Sequence, residues 1–315
     1  MWRNMRLVVA ETSRQRAGLC CWKMGLTKTL AKSVLHRGGG IQVYRRLNQS
    51  GRRIVMYHHF ERDPAGLEWQ CEHLLRYYHP VSLDQLTSGE PPGPNCAAVT
   101  VDDGYADFLQ AWPVFKSYGI PVTVYLVSGF LDRELWLWMD EVQVLAGDRG
   151  RELCEQFKNL RNGDRLRALE ELRRTSPRPA AMPDRSLPMT WDDARSLAKE
   201  GVRFGAHTRS HPILTRLDDP RALDAEIAGS KARIEEQLDC PVVDFCYPNG
   251  TAADFDGRVI QSVRDAGFHS AVTTEPGLNA ASTDRFLLRR IGADPWVSRD
   301  YFAELLAGVR GHRPS

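Results

Sequence analysis

The chain has no CxxC cysteine pair, no long apolar run, no internal repeat and, across its first 53 residues, only one acidic side chain, Glu11. Its seven cysteines are an odd number, and Cys96 and Cys246 sit in apolar company. Neither a disulfide framework nor a zinc ribbon is expected, and a reducing compartment is. Without about 18 uninterrupted apolar residues there is no spanning helix, and the longest early apolar stretch, Leu7 to Ala10, is too short for a signal-peptide core. The expected location is cytoplasmic, at most peripheral on an inner membrane face.

What is present begins with charge. The chain of 315 residues is 42% hydrophobic, enough for a large core, with a formal charge of +2. That small number conceals an asymmetry. Residues 1 to 53 hold twelve Lys or Arg against one acid, which leaves 30 basic and 39 acidic side chains for the rest. Residues 1 to 52 read as a basic, partly helical arm. Trp22, Leu26, Leu30 and Val34 recur at four-residue spacing beside Lys23, Lys28, Lys32 and Arg37, and Gly38-Gly39-Gly40 ends the pattern. Such a helix either lies on an anionic membrane, through residues 1–45, or packs its stripe on the protein body. A nucleic-acid partner is not expected, because the body is acidic and lacks aromatics interleaved on a basic face.

From residue 53 to about 310, short apolar runs alternate with amphipathic stretches. IVMYHHF is followed by helical sequence near Glu68 to Tyr78, AAVTVDD by Ala106 to Tyr118, and then comes PVTVYLV. Later follow VRFGAH, a long helix from Pro220 to Leu238, VVDFCYP, a helix near Asp256 to Ala266, and SAVTT. Strands and helices in strict turn predict a parallel sheet covered on both faces, and this many units predict closure into a barrel. Its chemistry is expected at the C-terminal strand ends. A charged helical insertion with a flexible, Pro-rich exit interrupts the pattern at about 134–188. Its Trp136 and Trp138 suit packing or stacking on a sugar.

Four strand ends carry candidate chemistry. Asp102 and Asp103 close AAVTVDDG, and a turn at Gly104 brings both carboxylates into one pocket, one to bind a metal and the other to act as base. His207 and His211, in GAHTRSHP, converge on one ion if the stretch takes a helical turn. Two histidines and one carboxylate leave positions open for water and substrate, as a catalytic metal requires. In VVDFCYPNG the backbone N–H of Tyr247 is a candidate oxyanion donor. In MYHH, strand alternation lets only one of His58 and His59 face the mouth, as an acid for a leaving amine.

Taken together these pieces resemble the polysaccharide deacetylase family, carbohydrate esterase family 4, with its NodB homology domain. TVDDG at 100–104 is similar to the family's T-F-D-D-G, and HTRSH at 207–211 matches its H-[ST]-x-x-H. The resemblance implies an irregular (β/α)7-type barrel over residues 53–310. It further implies Asp102 as general base, and Asp103, His207 and His211 as ligands of one divalent ion, zinc first, with cobalt, nickel or manganese as alternatives. The third motif departs from the family's R-x-P-Y, reading FCYPNG, so Arg290 in LLRRI becomes the candidate to orient the base. The usual C-terminal acid histidine is also absent. In permuted branches the acid follows a tyrosine in the first strand, which points to His58 after Tyr57, with His59 in reserve, and leaves Trp296 as a candidate groove residue.

The expected activity is removal of an N-acetyl or N-formyl group from an amino sugar in a polysaccharide, oligosaccharide or glycolipid precursor. Its rivals are deformylation of a lipid-linked sugar and a catalytically silent carbohydrate-binding barrel.

Overall fold

Residues 39–60, 64–87, 89, 93–176 and 181–309 are described by the computed structural model. The stripe of Trp22, Leu26, Leu30 and Val34 lies outside the described residues. Among those residues the apolar runs become parallel strands. They are β1 Arg53–Tyr57, β2 His79–Pro80, β3 Cys96–Val101, β4 Val122–Leu126, β5 Arg203–Ala206, β6 Asp244–Cys246, β7 Ser270–Pro276 and β8 Leu288–Gly292. Each strand from β3 to β8 pairs with the next in sequence, and β1 pairs with both β8 and β3. That double pairing closes a seven-stranded barrel. The two-residue β2 is an appendage at the start of β3, His79 opposite Cys96.

Period-two alternation then sorts the strand residues. Ile54, Ala98, Tyr125, Cys246, Val272 and Leu288 pack together inside the barrel. Val55, Tyr57, Val99, Val101, Val124, Leu126 and Phe245 pack outward with the helices. Inward parity carried one step past each strand end reaches His58, Asp102 and His207.

Four of the described covering helices start at a capping side chain. α1 spans Gly40–Leu47, α2 Pro64–Tyr77, α3 Leu83–Thr87, α4 Phe108–Ser117 and α5 Ser128–Leu131. The insertion follows as α6 Trp138–Ala146, α7 Gly150–Lys158 and α8 Asn162–Thr175, gathered on a small core of Trp138, Val142, Cys154, Phe157 and Leu169. Then come α9 Trp191–Lys199, α10 Pro220–Leu238, α11 Gly257–Asp265 and α12 Arg299–Ala307. α10 shows the logic: the Asp219 side chain accepts from the N–H of Arg221, Pro220 takes the first turn, and Leu223, Ile227, Ile234 and Leu238 form the buried stripe. α9 and α12, which the apolar alternation did not predict, are started by a Thr190/Asp193 capping box and by Ser298.

Residues 40–52, read as the end of the arm, dock on the barrel: Ile41 packs with Ala303 and Ala307, and Asn48 donates to the carbonyl of Ala307 at 2.9 Å. Arg53, fully buried, donates to the carbonyls of Leu306, Gly51 and Asn48 at 2.6, 2.6 and 3.0 Å, joining the ends of α12 and α1. Pro188, at the end of the insertion, bridges to Tyr105, whereas residues 177–180 of the exit read as flexible lie outside the described residues. Among the described residues no helix is long and apolar enough to cross a membrane.

A candidate metal centre at the barrel mouth

At the C-terminal end of β3, inward parity reaches Asp102, whereas Asp103 would point outward if the strand continued. It does not continue: Asp103 takes φ 73° and Gly104 φ 83°, a left-handed turn that carries the second carboxylate back over the mouth. A Cβ on Gly104 would meet Leu126 and Leu131 at about 3 Å, so the turn needs glycine for space as well as for φ.

His207 and His211 converge by a different route from the predicted helical turn. Residues 207–212 form an open bend, with Thr208 at φ 66° and His211 at φ 56°. The bend is built locally. Thr208 Oγ1 accepts from the N–H of His211 at 3.0 Å, and the Glu226 carboxylate accepts from the N–H groups of Arg209 and Ser210 at 2.9 and 2.8 Å. Pro212 has no N–H with which to continue a helix. From the insertion, Trp138 Nε1 donates to the carbonyl of His211 at 3.0 Å.

The result is a tight triangle. Asp103 Oδ1 lies 3.4 Å from His207 Nε2 and 3.5 Å from His211 Nε2, and the two nitrogens are 3.2 Å apart. Tetrahedral ligands at zinc-type bond lengths of 2.0–2.2 Å would stand about 3.4 Å apart. Asp103 Oδ1 is buried and has no hydrogen-bond partner. His207 Nδ1 donates to the carbonyl of Cys246 at 2.7 Å, which leaves its Nε2 lone pair facing the triangle. Burial lowers both imidazoles, His207 to about 4 despite the nearby Asp102 and His211 well below the usual value, aided by the charges of His207 and Arg165. Asp103 is pushed well above the usual carboxylate range by burial and by the charges of Asp102 and Asp140. Two neutral nitrogens and an orphaned oxygen, mutually in contact and buried, are a donor set that fits a divalent cation.

A second triad, Asp102, His207 and Cys246, also clusters. It fits a cation poorly, because Arg290 already occupies it. The guanidinium of Arg290 binds both Asp102 oxygens at 2.7 Å, and its Nη2 is 3.1 Å from Cys246 Sγ. Burial alone would raise the carboxyl of Asp102; the charge and hydrogen bonds of Arg290 outweigh it and hold the group well below the usual range. The sequence thus pairs the candidate base with the candidate orienting arginine, from the end of β3 and from β8.

His58 Nε2 is 3.7 Å from Asp102 Oδ2, with 40% of its side chain exposed at the mouth, whereas His59 points aside and binds Asp107 at 3.1 Å. Burial lowers His58, only partly opposed by Asp102. Burial also works against the charged form of His59, but the hydrogen bond and charge of Asp107 prevail and raise it.

One candidate is corrected. The N–H of Tyr247 is spent on the carbonyl of Val272 at 3.2 Å, because β6 pairs with β7 there, and its ring is buried with its hydroxyl on the carbonyl of Phe286. Tyr247 is therefore a sheet and core residue and not an oxyanion donor. Trp138 is buried and Trp136 half-buried, and Trp296 is exposed on the loop after β8.

Several site residues escaped the sequence reading. Cys246 has inward parity at the end of β6 and touches both Arg290 and Asp102, at 3.1 and 3.6 Å. Asp107, at the N-cap of α4, makes no cap bond with its own helix and instead accepts from Phe60 N–H and meets His59. Asp140 arrives from the insertion and accepts from Tyr105 Oη at 2.9 Å. Asp294 acts electrostatically on His58 and His59. Strand parity was the signal available for Cys246; the other three depend on tertiary placement.

A family model described as polysaccharide deacetylase matches residues 89–271, more than half of the chain. YxkH of Bacillus subtilis (strain 168), by name a proposed polysaccharide deacetylase, is 21% identical over 269 residues, which cover 82% of this chain and 76% of that protein. Among solved structures, the Streptococcus pyogenes deacetylase PplD in complex with acetate matches with TM-score 0.59 at 19% identity, covering 84% of this chain and 100% of that one. IcaB from Ammonifex degensii matches with TM-score 0.57 at 15% identity, covering 82% and 96%. At such identities the solved structures establish a shared fold.

Proposed function

This chain belongs to the polysaccharide deacetylase family, and we propose that it hydrolyses an N-acyl group, acetyl or formyl, from an amino sugar with the help of one divalent ion. The observation that carries this reading is the buried, unpartnered Asp103 Oδ1 facing two neutral imidazole nitrogens beside an ionised Asp102. Acetate in the Streptococcus pyogenes structure supports acetyl as the group released.

Asp103, His207 and His211 would hold the ion, with zinc first and cobalt, nickel or manganese compatible with the same donors. When bound, such an ion supplies Lewis-acid polarisation of the acyl carbonyl and acidifies the attacking water. Asp102 takes the proton of that water. Arg290 keeps Asp102 ionised and fixes the plane of its carboxylate through two hydrogen bonds. His58, on the open side of Asp102, delivers a proton to the amine nitrogen as the C–N bond breaks. The products are a carboxylic acid and a free amino sugar.

Metal analysis of the purified protein, paired with an amine-release assay on N-acetylated and N-formylated sugars, tests chemistry and substrate together. Asp102→Asn is expected to keep the metal and lose about a thousandfold or more in kcat, whereas His207→Ala loses metal and turnover together. Equal loss of metal in both variants would overturn the assigned roles.

A further inference from the structure

A second feature lies on the outside of the barrel, where α1, α2 and α12 line a pocket of about 280 Å³. Three guanidiniums line it. Arg45 lies 4.0 Å over the ring of Tyr77, Arg76 lies 5.4 Å from the same ring, and Arg299 lies 5.1 Å over Trp69. Aromatic faces hold a guanidinium flat with its N–H edge outward; the Nε of Arg45 donates to Tyr78 Oη at 3.4 Å, leaving its terminal nitrogens to meet an anion. Among the described residues none of the three pairs with a carboxylate. Glu72 and Asp300 share the wall, with Glu72 drawn towards Tyr118 Oη at 3.4 Å, so the pocket keeps a net positive charge of one.

A buried histidine also lines the pocket. His73 is 6% exposed and has no hydrogen-bond partner at Nε2. Burial together with the charges of Arg45 and Arg76 lowers it to about 4.

Beside the pocket, α1 turns apolar side chains to the solvent. Val43 and Leu47, one turn apart, are 56% and 75% exposed, and Tyr44 is 42% exposed, while Ile41 on the other face packs on α12. Exposed apolar residues interleaved with Arg45 and Arg46 are the composition of a helix that lies in a membrane interface. The sequence that runs into α1 adds to the charge, since residues 1–38 carry eight Lys or Arg against one acid.

We propose that this flank docks on an anionic membrane, with Val43, Tyr44 and Leu47 entering the interface and Arg45, Arg76 and Arg299 taking lipid phosphate. The inference does not depend on the reaction assigned to the metal centre.

The test is co-sedimentation of the full chain with vesicles of phosphatidylcholine alone or mixed with phosphatidylglycerol. Binding is expected on the mixed vesicles and not on the neutral ones, and it should weaken as salt is raised. Arg45→Gln, Arg76→Gln and Arg299→Gln are each expected to weaken it about fivefold, and Leu47→Glu at least as much. Thermal melts check that each variant is folded. Equal binding to both vesicles, or unchanged binding by the triple arginine variant, overturns the proposal. So does a Leu47→Glu variant that melts early while vesicle binding persists, because another segment would then cover the stripe. Inorganic phosphate shifting the His73 titration where mixed vesicles do not would make the pocket a site for free anions and would equally overturn it.

Discussion

His58 and His59 are neighbours in sequence with opposite surroundings. Parity turns His58 to the mouth, 3.7 Å from Asp102, and turns His59 to Asp107 and the face of Tyr105, whose ring centroid is 4.2 Å away. His59→Asn keeps a side chain able to donate to Asp107 and is expected to stay within about tenfold of the parent in kcat, whereas His58→Asn removes the proton donor and is expected to cost about a hundredfold or more. Amine-release kinetics on the two variants separate the roles, and the reverse ranking would move the acid to His59. Arg290 is a different case. It is fully buried against Asp102, so deleting it would strand a charge at a cost of about 3–5 kcal/mol. Arg290→Lys keeps the charge but not the two-pronged geometry. It is expected to fold, to bind metal and to lose kcat more than KM, which substrate-saturation kinetics would show; a change confined to KM would contradict an orienting role.

At the scale of elements, what was legible in the sequence is what depends on local pattern. The parallel barrel followed from period-two runs alternating with amphipathic stretches, and α10 from its Asp219-Pro220 start and its apolar stripe. Motif spacing brought out the Asp102-Asp103 pair and the two histidines, but the roles of the two aspartates and the choice of Arg290 came only from the resemblance to a family. The route by which His211 reaches His207 was not legible, because i, i+4 spacing suggests a helical turn and only the Glu226 carboxylate and Thr208 hydroxyl, with Pro212 next in line, show why the chain bends instead. Tyr247 failed for a related reason: whether its N–H is free depends on its pairing partner in β7. The insertion was legible as helical but not as a support of the site. Trp138 on α6 makes that connection through its indole N–H to the carbonyl of His211. Trp138→Phe keeps the ring in the insertion's core and removes the donor. It is expected to cost about 1–3 kcal/mol of stability and to weaken metal binding about tenfold. Calorimetric titration of metal into the stripped variant checks this, and unchanged affinity would mean that the loop holds His211 unaided.

Across the whole molecule, buried ionisable groups cluster at the mouth of the barrel, and a further one stands at its opposite end. The mouth gathers Asp102, Asp103, His58, His207 and Arg290, where burial is offset by mutual pairing or would be offset by an ion. The opposite end has Asp244, at the start of β6, 5% exposed and, among the described residues, hydrogen-bonded through its side chain to the hydroxyl of Ser270. Burial, opposed by that hydroxyl, raises it from the ordinary 3.8 to about 6. The fold accommodates its neutral form better than its charged one. Its favourable contribution is therefore complete below the unfolded value and is lost as pH rises through about 6, leaving a cost of about 3 kcal/mol in the neutral range and above. Asp244→Asn keeps an oxygen to accept from Ser270 and cannot ionise. Thermal melts of the variant and parent should coincide near pH 4 and separate with rising pH, the variant melting about 5 °C higher by about pH 8. Unlike the predictions for the mouth, this one needs neither metal nor substrate. A difference that does not vary with pH would show that Asp244 ionises in the fold as readily as in the unfolded chain.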